Sequence, residues 1–131
     1  MTNYQYKEDF DVRDYECDSQ GIVNNANYLH YLEHARHKIL HDLDIDYSTL
    51  LEKGIYLVVI RIEIDYLLPL RSGDRFYVGT NIERVSRLRF GFLQDIFRIP
   101  DHKTIVKAKV IGTSLNTSGR PILPTELDRL L

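Results

Sequence analysis

In the stretch CDSQGIVNNANY, Cys17 to Tyr28, one carboxylate (Asp18), one glycine (Gly21) and three asparagines (Asn24, Asn25, Asn27) precede a segment with helical spacing. A helix opens with backbone N–H groups that lack intrahelical partners and with partial positive charge, so the loop feeding it suits a developing oxyanion. Gly21 permits a sharp turn between Asp18 and Asn25. With Asp18 directed to the same point, a water is held between a carboxylate that takes its proton and amides that polarise a carbonyl. That equipment suffices for acyl transfer.

Each of these residues also has a plainer use. Asp18 alone suits a helix cap or a solvated loop, and the asparagines suit caps and turns. Asp14, Glu16 and Asp18 alternate as in a calcium loop, but Ser19 stands at the turn-glycine position and Asn25 at the bidentate-glutamate position. His30-Tyr31-Leu32-Glu33-His34 matches an inverted zinc-protease signature. Such a site needs a third ligand and a cleft that no second domain supplies here, so His30, His34, His37 and His41 read as a solvated or intersubunit face. No metal and no redox cofactor are expected.

The elements that must position this loop follow from periodicity. Residues 4–13 place Tyr4, Tyr6, Phe10 and Val12 on one parity, as in a first strand. From Asn27 the period changes: Tyr28, Leu32, Ala35, Ile39 and Leu43 recur at steps of three and four, which predicts a helix with one buried stripe, capped by Asn24 or Asn27. Ser48 to Lys53 adds a short helical turn ending at Gly54. Ile60, Ile62, Ile64 and Tyr66 alternate with Arg61, Glu63 and Asp65, predicting a half-buried strand that stops at Pro69. Phe76 to Ile82 and Leu88 to Ile96 alternate on either side of VSRL, which predicts a hairpin, and residues 104–115 supply the last strand.

The order is a strand, a long loop, one long helix and four strands with short turns, giving an α+β fold with an antiparallel sheet of about five strands. A helix of about 16 residues, ~24 Å long, cannot cover both faces of such a sheet, so self-association is expected. The 131 residues, 44% hydrophobic and 27% charged, suit one domain over 1–131. A formal net charge of −2 argues against general nucleic-acid binding, which needs clustered Lys and Arg. The single Cys17 excludes an internal disulfide and suits a reducing compartment, with the cytoplasm as the expectation. Met1 to Asp11 has no apolar core of a signal peptide, and no stretch approaches the ~20 apolar residues of a membrane span.

The run VRDYECDSQGIVNNANYLHYLEHAR (Val12 to Arg36), followed by IDYLLPLRSGD (Ile64 to Asp74), resembles the hotdog-fold acyl-CoA thioesterases of the 4-hydroxybenzoyl-CoA thioesterase type. Asp18, Gly21, Ile22, Val23 and Tyr28 meet the family pattern, and Glu33 and Arg36 fit the helix after it. The resemblance implies a long central helix wrapped by a curved antiparallel sheet, and hydrolysis of an acyl-CoA to a free acid and CoA. It implies Asp18 as general base or nucleophile and the backbone N–H of Asn25 as the group that polarises the carbonyl. Many relatives carry His where this chain has Asn25, so the backbone role is kept and the imidazole is not. Relatives form homodimers or homotetramers with the active site between subunits. Gly21, Val23, Tyr28, Ile60, Arg61, Arg87 and Arg89 are the expected substrate contacts, the arginines toward the CoA phosphates. The alternatives are a non-catalytic acyl-CoA-binding or sensing module and a hydroxyacyl-thioester dehydratase.

Overall fold

The computed structural model describes residues 3–131. Asn24, extended at φ −63° and ψ 139°, accepts the Ala26 N–H on its side-chain oxygen at 3.0 Å, and α1 (Asn25–Asp42) starts there. Of the two expected caps, the one immediately before the helix is used. Tyr28, Leu32, Ala35 and Ile39 are buried along α1 as the spacing predicts, together with Tyr31, Arg36 and Leu40. A short helix, α2 (Tyr47–Glu52), is capped by Asp46 and ends before Gly54, whose φ of +74° reverses the chain.

The strands are β1 (Tyr6–Asp11), β2 (Tyr56–Tyr66), β3 (Arg75–Ser86), β4 (Arg89–Ile99), β5 (Thr104–Leu115) and a two-residue β6 (Pro121–Ile122). All pairings are antiparallel, in the order β1-β3-β4-β5-β2, with β6 added to β5. One long helix thus lies on a curved sheet. Its N-terminal half packs with Phe76, Val78, Ile96 and Val106, and its C-terminal half with Phe90, Phe92 and Val110.

One expectation is corrected. Of the β2 residues expected on the covered face, Ile64 packs on the core, but Ile60, Ile62 and Tyr66 are 43%, 39% and 44% exposed. β2 is an edge strand bonded only to β5 among the described residues, with a bulge between Val59 and Arg61. Among the described residues, Ile60 and Ile62 are thus left as an open apolar patch on this edge. On β3, Tyr77 has the opposite parity to Phe76 and Val78 and is nevertheless buried. Phe97 packs on its ring at 5.2 Å and the Lys7 ammonium sits over it at 4.4 Å. Beside it Tyr4 crosses Gly79 and donates to Asp95 Oδ2 at 2.6 Å, so the N-terminal segment covers part of the sheet's outer face.

Candidate active site

The loop before α1 is folded back on itself by short-range bonds. Cys17 bridges Val23, Asp18 N–H donates to Ile22 O at 2.8 Å, and Gly21 N–H donates to Asp18 O at 3.0 Å. Gly21 has φ +80°, a left-handed conformation that an L side chain adopts only at a cost. Asp18 therefore sits at the tip of a tight turn with an exposed side chain, its Oδ1 accepting Gln20 N–H at 2.8 Å.

The root of the loop is fixed by asparagines. Asn24 N–H and the Asn27 side-chain amide both donate to Glu16 O, at 3.1 and 2.7 Å, and Asn27 N–H donates to Asn24 O at 2.9 Å. Of the first three helix amides, Ala26 and Asn27 are therefore bonded. The Asn25 N–H has no partner among the described residues. It is the amide that the family resemblance assigns to a carbonyl oxygen, and no hydrogen bond ties it to the Asp18 carboxylate.

The opposite wall comes from the chain after β2. Ile22 bridges Arg71, Val23 N–H donates to Leu70 O at 2.9 Å, and Leu70 N–H donates to the Tyr28 hydroxyl at 3.0 Å. Burial raises the Tyr28 pKa and the Leu70 amide opposes it, so the hydroxyl stays neutral and serves as an acceptor. Tyr66 extends this wall: its ring packs on Tyr28 at 5.6 Å and its hydroxyl approaches Asn25 O at 3.5 Å. Sequence reasoning missed Tyr66 as a site residue. The available signal was an aromatic closing an alternating strand three residues before Pro69.

The expected contacts separate into three groups. Asp18, Gly21 and Asn25 share the loop. Val23 and Tyr28 are 2% and 3% exposed and belong to the core, where they hold the loop in place. Ile60 and Arg61 lie on the exposed edge strand, Arg61 paired with Glu63 at 2.7 Å. Arg87 and Arg89 are exposed at the β3–β4 turn. That turn is bonded to Thr113, whereas the loop following β2 is bonded to Ile105, so within one chain the arginines lie about 25 Å along β5 from the site wall, at roughly 3.3 Å per residue. Among the described residues, no group of three His, Cys, Asp or Glu side chains is placed to hold a metal ion. Among the described residues, no helix is long and apolar enough to cross a membrane.

Residues 12–130 match the thioesterase-like superfamily. The chain belongs to that superfamily. It is 40% identical over 110 residues to a chloroplastic acyl-acyl carrier protein thioesterase of Arabidopsis thaliana, a match covering 84% of this chain and 58% of that protein. This thioesterase-superfamily chain therefore spans little more than half the length of the plant relative. An acyl-CoA thioesterase of Haemophilus influenzae is 35% identical over 92 residues, covering 68% of each chain. A solved 1,4-dihydroxy-2-naphthoyl-CoA thioesterase from Synechocystis has the same fold, with a TM-score of 0.89 at 19% identity over 94% of this chain and 92% of that one.

Proposed function

We propose that this superfamily member hydrolyses acyl thioesters, with acyl-CoA as the substrate class. One observation carries the reading: the unpartnered Asn25 N–H opens α1 at the root of the loop whose tip bears the exposed Asp18 carboxylate. The Asn25 amide receives the thioester oxygen as negative charge develops on it. Asp18 takes a proton from water, whose oxygen attacks the carbonyl carbon. The C–S bond then breaks, the proton passes to the departing thiolate, and a carboxylic acid and a free thiol result. A direct attack by the Asp18 carboxylate, giving an anhydride that water then opens, uses the same two groups. The reaction requires no metal or redox cofactor.

The names of the relatives support this chemistry on two carriers, coenzyme A and acyl carrier protein. The 40% identity to the plant protein favours testing the carrier protein as a second thiol partner. The active assembly in this reading is a homodimer joined across the exposed β2 edges, or a tetramer built from it. An antiparallel β2–β2 pairing sets the Val59 end of one strand against the Tyr66 end of the other. Arg87 and Arg89 of one copy then approach the Asp18 loop of the second, where CoA phosphates need cations.

The test is Asp18→Asn in a thiol-release assay over short, long and aromatic acyl-CoAs. Turnover falls by about two orders of magnitude or more while melting temperature and oligomer size hold. Undiminished turnover removes Asp18 from the mechanism. Binding without thiol release in the wild type replaces the reading with an acyl-CoA sensor, and loss of water from a hydroxyacyl thioester replaces it with a dehydratase.

A further inference from the structure

Arg36 lies on the inward face of α1 and is 8% exposed. Four residues after Leu32 and three before Ile39, it puts a permanent cation inside the apolar stripe. Its Nη1 donates to Gln94 Oε1 at 3.0 Å. Gln94 is fully buried and fixed in turn, its amide nitrogen donating to Leu32 O at 3.1 Å and to Thr80 Oγ1 at 3.2 Å. The network aims a neutral oxygen at the guanidinium and supplies no negative charge.

Among the described residues no carboxylate forms an ion pair with Arg36; Glu33, one turn earlier, pairs with His37 at 3.9 Å. Burial lowers the Arg36 pKa, and the charge of Glu33 offsets this only in part. Apart from that and the Phe92 ring, 6.0 Å from the guanidinium carbon, nothing but Gln94 compensates this buried charge among the described residues, so the site favours an anion.

The guanidinium borders a recess of about 50 Å³ whose other walls include Leu40, Tyr47, Val58, Val59 and Phe90. At roughly 10–15 Å³ per water-sized group, it takes three or four such groups, enough for a carboxylate. β2 passes from Val58 and Val59, at the recess, to Tyr66, beside Asn25, and Arg36 reaches Gln94 between these two ends. Asn25 and Arg36 also share α1. The rise between them is ~16 Å, and a helical side chain leans back by up to one turn, leaving on the order of 10 Å. That separation corresponds to about eight methylenes at ordinary C–C spacing.

We propose that Arg36 receives a carboxylate at the far end of the acyl group, so that the protein prefers ω-carboxyacyl thioesters to plain alkyl ones. The preference rests on the thioesterase reading; the anion site does not. A plain alkyl chain in the recess leaves the cation buried and unpaired, whereas a carboxylate forms a charge-assisted bond to a guanidinium already held by Gln94.

The experiment compares 9-carboxynonanoyl-CoA with decanoyl-CoA on the wild type and on Arg36→Met. For the wild type, kcat/KM favours the carboxylated substrate by about ten- to a hundredfold, the range of a hydrogen bond to a charged group. In Arg36→Met the ratio drops to one or below while decanoyl-CoA is still hydrolysed. A wild-type ratio near one overturns the proposal, and so does a ratio unchanged by Arg36→Met; the first is the result expected if a carboxylate of a second copy fills the recess. Melting of the wild type with decanoate or the uncharged decanamide covers both an inactive enzyme and a variant that does not fold. Decanoate raising the melting temperature more than decanamide supports the anion site, and equal shifts overturn it. If neither thioester is hydrolysed, the thioesterase reading fails and this melting comparison alone decides the role of Arg36.

Discussion

Replacing Tyr28 with Phe removes one oxygen and keeps the ring that packs against Tyr31 and Tyr66. The oxygen accepts Leu70 N–H at 3.0 Å, and both residues are buried, at 3% and 0% exposure. The variant therefore strands a buried backbone donor, at a cost of about 1–3 kcal/mol. For a chain of 131 residues, an unfolding entropy of about 2.1 cal/mol/K per residue makes each kcal/mol worth roughly 3–4 °C, so melting falls by about 4–10 °C. The same bond fixes the Leu70–Arg71 segment, which holds Val23 and Ile22 through backbone pairing. Thiol-release activity, measured well below the new melting temperature, should thus fall together with stability, by about tenfold if the oxyanion amide shifts by a fraction of an ångström. Thermal melting and steady-state kinetics on the purified variant provide the two readouts. Unchanged melting would refute the claim that this hydroxyl satisfies the Leu70 amide, and lower melting with full activity would refute its coupling to the site.

Gly21→Ala meets no atom within 4 Å of the new Cβ, so its cost is the left-handed φ of +80° alone, about 1–2 kcal/mol, and activity falls as the Asp18 turn relaxes; melting and turnover test both. Gly79→Ala puts a Cβ 2.6 Å from the Tyr4 ring, costing about 1–3 kcal/mol, and the added change Tyr4→Ala recovers part of the loss in a double-mutant melting cycle. Asn24→Ala removes the acceptor for Ala26 N–H and lowers stability by about 1 kcal/mol, readable as a denaturant midpoint shift at constant slope. Arg98 bonds Asp101 and holds its carboxyl below the ordinary 3.8; the folded value lies below the unfolded one, so the pair's small contribution is present above pH 3.8 and is lost as pH falls through the depressed value. Arg98→Leu should flatten the melting temperature against pH in that acid range.

The elements were largely legible. Tyr28, Leu32, Ala35 and Ile39 carry helical spacing because one stripe faces a sheet, and residues 104–115 alternate because one face of β5 meets that helix. The Asp18-Gly21 turn and the cap at Asn24 were also readable, since both are local chemistry within a few residues. Contacts between distant segments were not. Nothing in the spacing of Tyr77 shows that Phe97 and Lys7 cover it, and nothing in the Gln94 neighbourhood shows that it bonds Arg36 and Leu32. Arg36 did leave a trace, a charge at a stripe position, but its lack of an acidic partner depends on three-dimensional packing. Ile60 and Ile62 were read as half-buried because alternation reports which residues share a face and says nothing of whether that face is covered.

The two outer margins of the sheet differ in chemistry. β1 carries Lys7, Glu8, Asp9 and Asp11 within six residues, whereas the free side of β2 follows a largely aliphatic run interrupted by the Ile60 bulge. Charged residues line the first margin more densely than Arg61, Glu63 and Asp65 line the second. A copy that joined through β2 would leave neither β2 edge free, so that contact by itself closes at two copies and does not propagate into a filament.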